Sequence, residues 1–351
     1  MKKIAIFQED LSVGGIQKSL LNLLGTIDPK EYAVTLFLLR EDNFYQAQLP
    51  KEVKVVYLNH GGLLKKYLPY RLQRLFYGRS FRALGDFDIA IDFNSYQVGC
   101  SLGATEVGAK RRISWIHNDV EVKFREEWKY RLLWRNFRGK FRYFDEFVAV
   151  SDGIREPFRN LAKTGDKPIH VIHNHIDTEE IFSRMDAPVT DLTVDPGCFN
   201  LVALGKLCHQ KAYDIMLDVI ADVYEKRRDI RLYVLGEGPD RAALEEKRHA
   251  LGLDEIVFFI GKRPNPYPYL HAMDAFLSTS RYEGQPLNIM EAKAVGLPIY
   301  MTKNLEKYCD GIPGCEDIRK ALLSAERQEK TPDRLTSYNE EIDLGIRELL
   351  K

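Results

Sequence analysis

No stretch of this sequence approaches the roughly 18 consecutive apolar residues that span a bilayer, so any membrane contact is expected to be peripheral. The amino-terminal MKKIAIFQEDLSVGG sets two lysines ahead of an apolar run. Glu9 and Asp10 interrupt that run, which reads as a first strand and not as a leader. Cys100, Cys198, Cys208, Cys309 and Cys315 form no C-x-x-C pair and are odd in number, which argues against a disulfide framework and for a reducing, cytoplasmic setting. No G-x-G-x-x-G occurs. LGEGPD at 235–240 has G-x-G without the third glycine, which disfavours dinucleotide redox chemistry. Charge of one sign is also lacking, since 51 Lys+Arg balance 51 Asp+Glu; residues 1–180 nevertheless hold 28 basic against 23 acidic side chains, and 181–351 the reverse.

What is present is the composition of a globular protein. Its 351 residues exceed what one core usually organises and predict two domains of about 150–180 residues. Runs apolar on both faces recur at 3–7, 33–39, 53–58, 87–93, 112–117 and 146–151, then again at 199–205, 230–236, 255–261, 275–280 and 297–302, with helical stretches such as 214–228 between them. Strands of that kind suit parallel sheets covered on both sides, so the expected fold class is α/β with two Rossmann-like doubly wound domains. The Pro-, Asp- and Thr-rich segment 168–198 marks the boundary. We expect residues 1–175 and 176–332 to form the two domains, with 333–351 a terminal helix packing back on the first. Ligands of open α/β sheets bind outside the carboxyl ends of the strands, so function is sought in the strand-to-helix loops facing a cleft there.

The most specific pattern is RYEGQPLNIMEAKAVGLPI at 281–299. Pro286 suits a helix start and Gly296 its stop, which leaves the amides of Gly284, Gln285 and Leu287 at a helix N-terminus where the macrodipole favours phosphate. Glu283 and Glu291 flank that end, and ionised carboxylates accept hydrogen bonds from vicinal sugar hydroxyls. Here the sequence resembles the family-4 glycosyltransferases of the GT-B fold, whose pattern E-G-x-P-L-x-x-x-E-A-x-A-x-G-x-P is matched by Glu283, Gly284, Pro286, Leu287, Glu291, Ala292, Ala294, Gly296 and Pro298. The resemblance implies that Glu283 approaches the transferred sugar, Glu291 binds the donor ribose and the intervening amides contact the diphosphate. LGKLCHQKAYDIML at 204–217 resembles the family's G-R-L-x-x-x-K-G and places Gly205, Lys206 and Lys211 at the diphosphate, with no metal or other cofactor required; Lys206 stands for Arg and Ala212 for Gly. By the same resemblance Gly14 and Gly15 line the loop after the first strand, and His117 in WIHND contacts the sugar, with Asn118 and Asp119 aiding the acceptor. Backbone around Gly236 and Gly261 is expected to recognise the base. HVIHNHI at 170–176 has a spacing that suits no familiar zinc site; Asn174 to Asp177 fall on the family's N-G-I-D turn, an interdomain hinge.

Two stretches, 63–82 and 122–144, are basic and aromatic, the second with eight Lys/Arg against two Glu. Such interleaving suits either a helix on anionic lipid at the inner face of the plasma membrane or an ordinary helix with buried aromatics and a solvated basic face; nothing supports nucleic acid. The resemblance implies a retaining, metal-independent transfer from a nucleoside-diphosphate sugar held by residues 176–332, with UDP favoured, to a glycan or lipid-linked acceptor bound by residues 1–175, in bacterial-type surface polysaccharide or glycolipid synthesis. The rivals are a non-catalytic nucleotide-sugar-binding subunit and a sugar-nucleotide epimerase of the same fold.

Overall fold

The computed structural model describes residues 1–42, 44–58 and 68–351, so that 63–67 of the first basic stretch lie outside it. The chain forms two compact units, Met1–His175 with Tyr338–Lys351, and Ile176–Ser337. In the first, β1 (Lys2–Gln8), β2 (Tyr32–Leu38), β3 (Lys54–Tyr57), β4 (Asp86–Asp92), β5 (Gly108–Ile116), β6 (Glu146–Ala149) and β7 (Ile169–Val171) pair in the order 3-2-1-4-5-6-7. In the second, β8 (Phe199–Leu204), β9 (Ile230–Leu235), β10 (Val257–Gly261), β11 (Ala275–Ser278) and β12 (Ile299–Met301) pair in the order 10-9-8-11-12. Every ladder is parallel. Strand order reverses between β1 and β4, and again between β8 and β11, which makes each unit the doubly wound, Rossmann-like sheet that the apolar runs predicted.

The runs become strands because both of their faces are covered. Ile4, Ala5, Ile6 and Phe7 of β1 are all fully buried, and the Phe7 ring stacks on Phe37 of β2 with centroids 4.8 Å apart. In the second unit Leu201, Leu232, Val257 and Leu277, one from each of four strands, share a core with Met216, Leu217 and Ile220 of the helix Tyr213–Tyr224. Strand β7 lies inside the segment that the sequence pattern treats only as a boundary. It has three residues and too little apolar sequence to stand out, and its place comes from pairing Phe147 with Ile169. The terminal helix runs Thr336–Leu350 and begins after Leu335, whose backbone is left-handed at φ +50°.

That helix is fastened to the first unit by charge. Arg111 on β5 donates through Nε and Nη2 to Glu146 Oε1 on β6 at 2.8 and 2.6 Å, and its Nη2 also reaches the Leu349 carbonyl at 2.9 Å. His170 beside them hydrogen-bonds Glu146 Oε2 at 2.8 Å. Burial alone would raise the Glu146 carboxyl, but the hydrogen bonds from His170 and Arg111 outweigh it and hold the group below its ordinary range. Replacing Glu146→Gln is expected to lower stability at pH 7 by about 1–2 kcal/mol, read by urea unfolding. Because the folded pKa is the lower one, the carboxylate's contribution is complete above the ordinary value of 4.5 and disappears as pH falls through the folded value, so wild type and variant should converge in acid.

Candidate functional site

The loops at the carboxyl ends of β8, β9 and β10 are joined by backbone hydrogen bonds. Gly205 N donates to the Leu235 carbonyl at 2.9 Å, Gly236 N to Gly261 at 2.9 Å, Leu207 N to Glu237 at 3.0 Å and Asp240 N to Leu207 at 3.1 Å. Gly236 (φ +151°) approaches its neighbour so closely that a Cβ there would lie 1.8 Å from the Gly205 carbonyl oxygen, so no other residue fits. Gly205 and Gly236 are therefore one backbone surface. Lys206 stands exposed beside it and makes no hydrogen bond or ion pair among the described residues.

From β11 the chain runs through Thr279 to Gln285, nearly all of it buried, into the helix Leu287–Val295, which Pro286 precedes and Gly296 (φ +86°) ends. Glu283 is only 6% exposed, and a carboxylate so buried needs compensation. Lys211 Nζ supplies it at 2.6 Å, and Gln210 Nε2 donates to the other oxygen at 3.1 Å and to the Tyr282 carbonyl at 3.1 Å. Arg281 forks onto Asp214 at 2.9 and 2.6 Å and onto the His209 carbonyl at 2.7 Å. Asn288, in the first turn of the helix, donates to the Leu204 carbonyl at 2.5 Å. The loop after β8 and the loop after β11 are thus held as one piece at the strand reversal. A small cavity opens there, lined by Leu204, Lys211, Tyr213, Ser278, Ser280 and Asn288.

The structure therefore brings Gly205, Lys211, Glu283 and the helix start at Gly284, Gln285, Pro286 and Leu287 to one place, with Glu291 one turn into the helix and within 3.5 Å of the Tyr267 hydroxyl. Gln210, Arg281, Asp214 and Asn288 escaped the sequence reading. All four lie within or beside the two motifs, and only the folded contacts distinguish them from surface polar residues. The Tyr213 hydroxyl is raised by burial and stays protonated. Cys309 is pushed up to about 12 by burial, then by the Glu283 charge, so its thiol is no nucleophile near neutral pH.

In the first unit His117 follows β5, its ring centroid 4.5 Å from that of Phe93. Burial lowers the imidazole to about 3 against an opposing hydrogen bond to the Phe93 backbone, so it is neutral at physiological pH. Its Nε2 is buried with no hydrogen-bond partner among the described residues. Gly14 precedes the helix Gly15–Thr26 in ordinary extended backbone, and a Cβ at Gly15 would meet nothing. A Cβ at Gly14 would lie 2.5 Å from Gln17 Oε1, so a side chain there requires the end of Gln17 to move, whereas Gly15 is not demanded by the packing described. Asp119 caps the helix Val120–Glu126 by accepting from the amides of Glu121 at 3.1 Å and Val122 at 2.9 Å. His170 goes to Glu146 and His173 stacks on Tyr338; among the described residues no cluster of three or more His, Cys, Asp or Glu able to hold a metal forms.

The family model described as Glycosyltransferase Family 4 matches residues 13–180, and that described as Glycosyl transferases group 1 matches residues 198–327. A 2-deoxystreptamine N-acetyl-D-glucosaminyltransferase of Niallia circulans is 31% identical over 164 residues, 45% of this chain and 41% of that protein. The lipopolysaccharide core biosynthesis mannosyltransferase LpsB of Rhizobium meliloti is 27% identical over 181 residues, 49% of this chain and 51% of that protein. The chain spans about half the length of the curated relatives it matches. In fold it is similar to HepE of Anabaena, solved in complex with UDP and glucose, with a TM-score of 0.64 at 16% identity, covering 100% of this chain and 91% of the other.

Ala212, where the related pattern has glycine, is buried and left-handed at φ +52°, directly before the helix Tyr213–Tyr224. A non-glycine residue pays roughly 1–2 kcal/mol for that conformation. Ala212→Gly is expected to stabilise the protein by about 0.5–1 kcal/mol once the lost methyl burial is deducted, measured as a raised urea midpoint at unchanged m.

Proposed function

We propose, from the premise that this chain belongs to the family-4 glycosyltransferases of the GT-B fold, that it transfers a sugar from a nucleoside-diphosphate donor to a glycan acceptor. The observation that carries the reading is Glu283, a buried carboxylate clamped by Lys211 and Gln210 immediately before a helix N-terminus, beside a cavity at the strand reversal. An incoming diphosphate competes with Glu283 for Lys211. It draws further stabilisation from Lys206 and from the amides of Gly284, Gln285 and Leu287, where charge grows as the sugar leaves. Glu283, once released, accepts from sugar hydroxyls, and Glu291 takes the ribose. His117, neutral, is available as a hydrogen-bonding group and not as a cation.

The capture of HepE with UDP and glucose supports a UDP-sugar as donor, and the role of LpsB in lipopolysaccharide core biosynthesis supports a surface polysaccharide or glycolipid as product. We take the reaction to be retaining, with the leaving phosphate deprotonating the acceptor hydroxyl on the face it departs from, and to need no metal. The acceptor is lipid-linked in this reading. The helices Tyr70–Arg82 and Trp128–Phe137 support that choice: they bury Tyr70, Phe81, Tyr130, Trp134 and Phe137 but expose Leu72, Leu75, Phe76, Trp128 and Leu132 among Arg71, Arg79, Lys129, Arg131 and Arg135. Apolar side chains ringed by cations suit the interface of an anionic bilayer. Among the described residues no helix is long and apolar enough to cross it.

A thermal-shift and calorimetric screen against UDP-, GDP-, ADP- and dTDP-sugars should show selective stabilisation by a UDP-sugar that Glu291→Ala abolishes. Lys211→Met should lower kcat by about 10²–10³. The product's anomeric carbon, read by NMR, should keep the donor's configuration, and EDTA should leave turnover intact. Donor binding without turnover for any acceptor would instead favour a non-catalytic nucleotide-sugar-binding subunit. Co-sedimentation with anionic vesicles at low salt should fall by about ten-fold in a Leu75→Ser/Trp128→Ser variant; equal binding to neutral vesicles would sink the electrostatic part of the idea.

A further inference from the structure

Lys140 belongs to the basic aromatic stretch 122–144, yet it is fully buried. Its Nζ donates to the Ser95 carbonyl and, at 2.9 Å, to Ser101 Oγ, which in turn donates to Asp92 Oδ2 at 2.6 Å. The rings of Phe137 and Phe141 lie 5.2 and 5.1 Å from the ammonium, and the buried Cys100 thiol is the remaining titratable group facing it. An ammonium and a carboxylate carried into a core cost several kcal/mol that an apolar pair of the same volume would not, so stability alone does not account for them. Burial pushes the Lys140 ammonium down and the Asp92 carboxyl up, and each shift is opposed by the charge of the other group.

What the ammonium holds is the link Phe93–Gln97, between β4 and the helix Val98–Glu106. This link sits at the carboxyl end of β4, beside the strand reversal at β1, where doubly wound sheets bind ligands. It is also tied to both neighbouring loops: Gln97 Nε2 donates to Glu9 Oε2 at 2.6 Å in the loop after β1, and the Tyr96 hydroxyl reaches the Asn118 carbonyl at 3.4 Å, next to His117. Among the described residues Lys140 is the charged group bonded to Ser95, and the Lys123 ammonium lies 5.2 Å from the neighbouring Tyr96 ring.

We propose that Lys140 is a positioning residue, which pins the Phe93–Gln97 link through the Ser95 carbonyl with Asp92 as counter-charge through Ser101, and thereby shapes the acceptor-binding surface of the first unit. The acceptor assignment rests on the glycosyltransferase reading; the pinning does not. Lys140→Met alone leaves Asp92 without its buried counter-charge, so the informative variant is Lys140→Met/Asp92→Asn, in which neither charge remains. In the full-length protein we expect amide exchange at Ser95–Val98 to quicken about ten-fold or more while β1, β4 and β5 stay protected. The acceptor KM should rise about ten-fold with the donor KM unmoved. Unchanged protection of the link, faster exchange with an unchanged acceptor KM, or equal rises in both KM values would each overturn the proposal. If the wild type transfers no sugar, the glycosyltransferase reading falls, and the exchange measurement still decides whether Lys140 pins the link.

Discussion

Two parallel strands cannot be joined by a tight turn, so the chain must cross a face of the sheet before it can lay the next strand beside the last. The crossings bury the strands on both sides, which is why β1 carries Ile4, Ala5, Ile6 and Phe7 in succession instead of alternating polar with apolar. They also deliver every strand-to-helix loop to the same end of its sheet. At the reversals between β1 and β4, and between β8 and β11, the flanking helices diverge and leave a crevice. Both the Lys211–Glu283 pair and the Lys140–Asp92 pair lie beside those reversals.

Each of those pairs puts an ammonium and a carboxylate where little water reaches, and the two differ in what surrounds them. Glu283 meets Lys211 directly at 2.6 Å, and Lys211 also lines the small cavity at the strand reversal. Lys140 and Asp92 communicate through Ser101 under a roof of aromatic rings, an arrangement that nothing entering from solvent can reach. The first pair therefore borders open space, while the second is enclosed on every described side. Arg281, forked onto Asp214, supports the first pair from outside by keeping the loops that carry its two members in register.

The departures from the related pattern have separate physical outcomes. Ala212 keeps the left-handed turn that a glycine would adopt without strain, and the turn places Lys211 correctly all the same. Lys206 keeps a cation at the loop but gives up the planar fork of arginine, and it is held by no described neighbour. One change therefore costs stability and leaves geometry intact, while the other changes how an anion can be gripped.

The doubly wound class and the two motifs that meet at the second strand reversal were legible in the sequence, because both are written locally. Apolar runs announce buried strands, and the spacing from Pro286 to Gly296 announces a helix with Glu283 before it and Glu291 within it. Strand β7 was not legible, since three residues carry no period and owe their conformation to β6. Nor was the fate of Lys140, which has the same letters around it as the exposed Lys129 and Arg131 of the same stretch. Gln210 and Arg281 likewise look like surface polar residues until Glu283 and Asp214 arrive from more than sixty positions away. What the sequence determined by itself was the set of elements and the chemistry available at their ends. Only the tertiary structure decided which charges face water and which face each other, because burial and pairing depend on atoms brought together from distant parts of the chain.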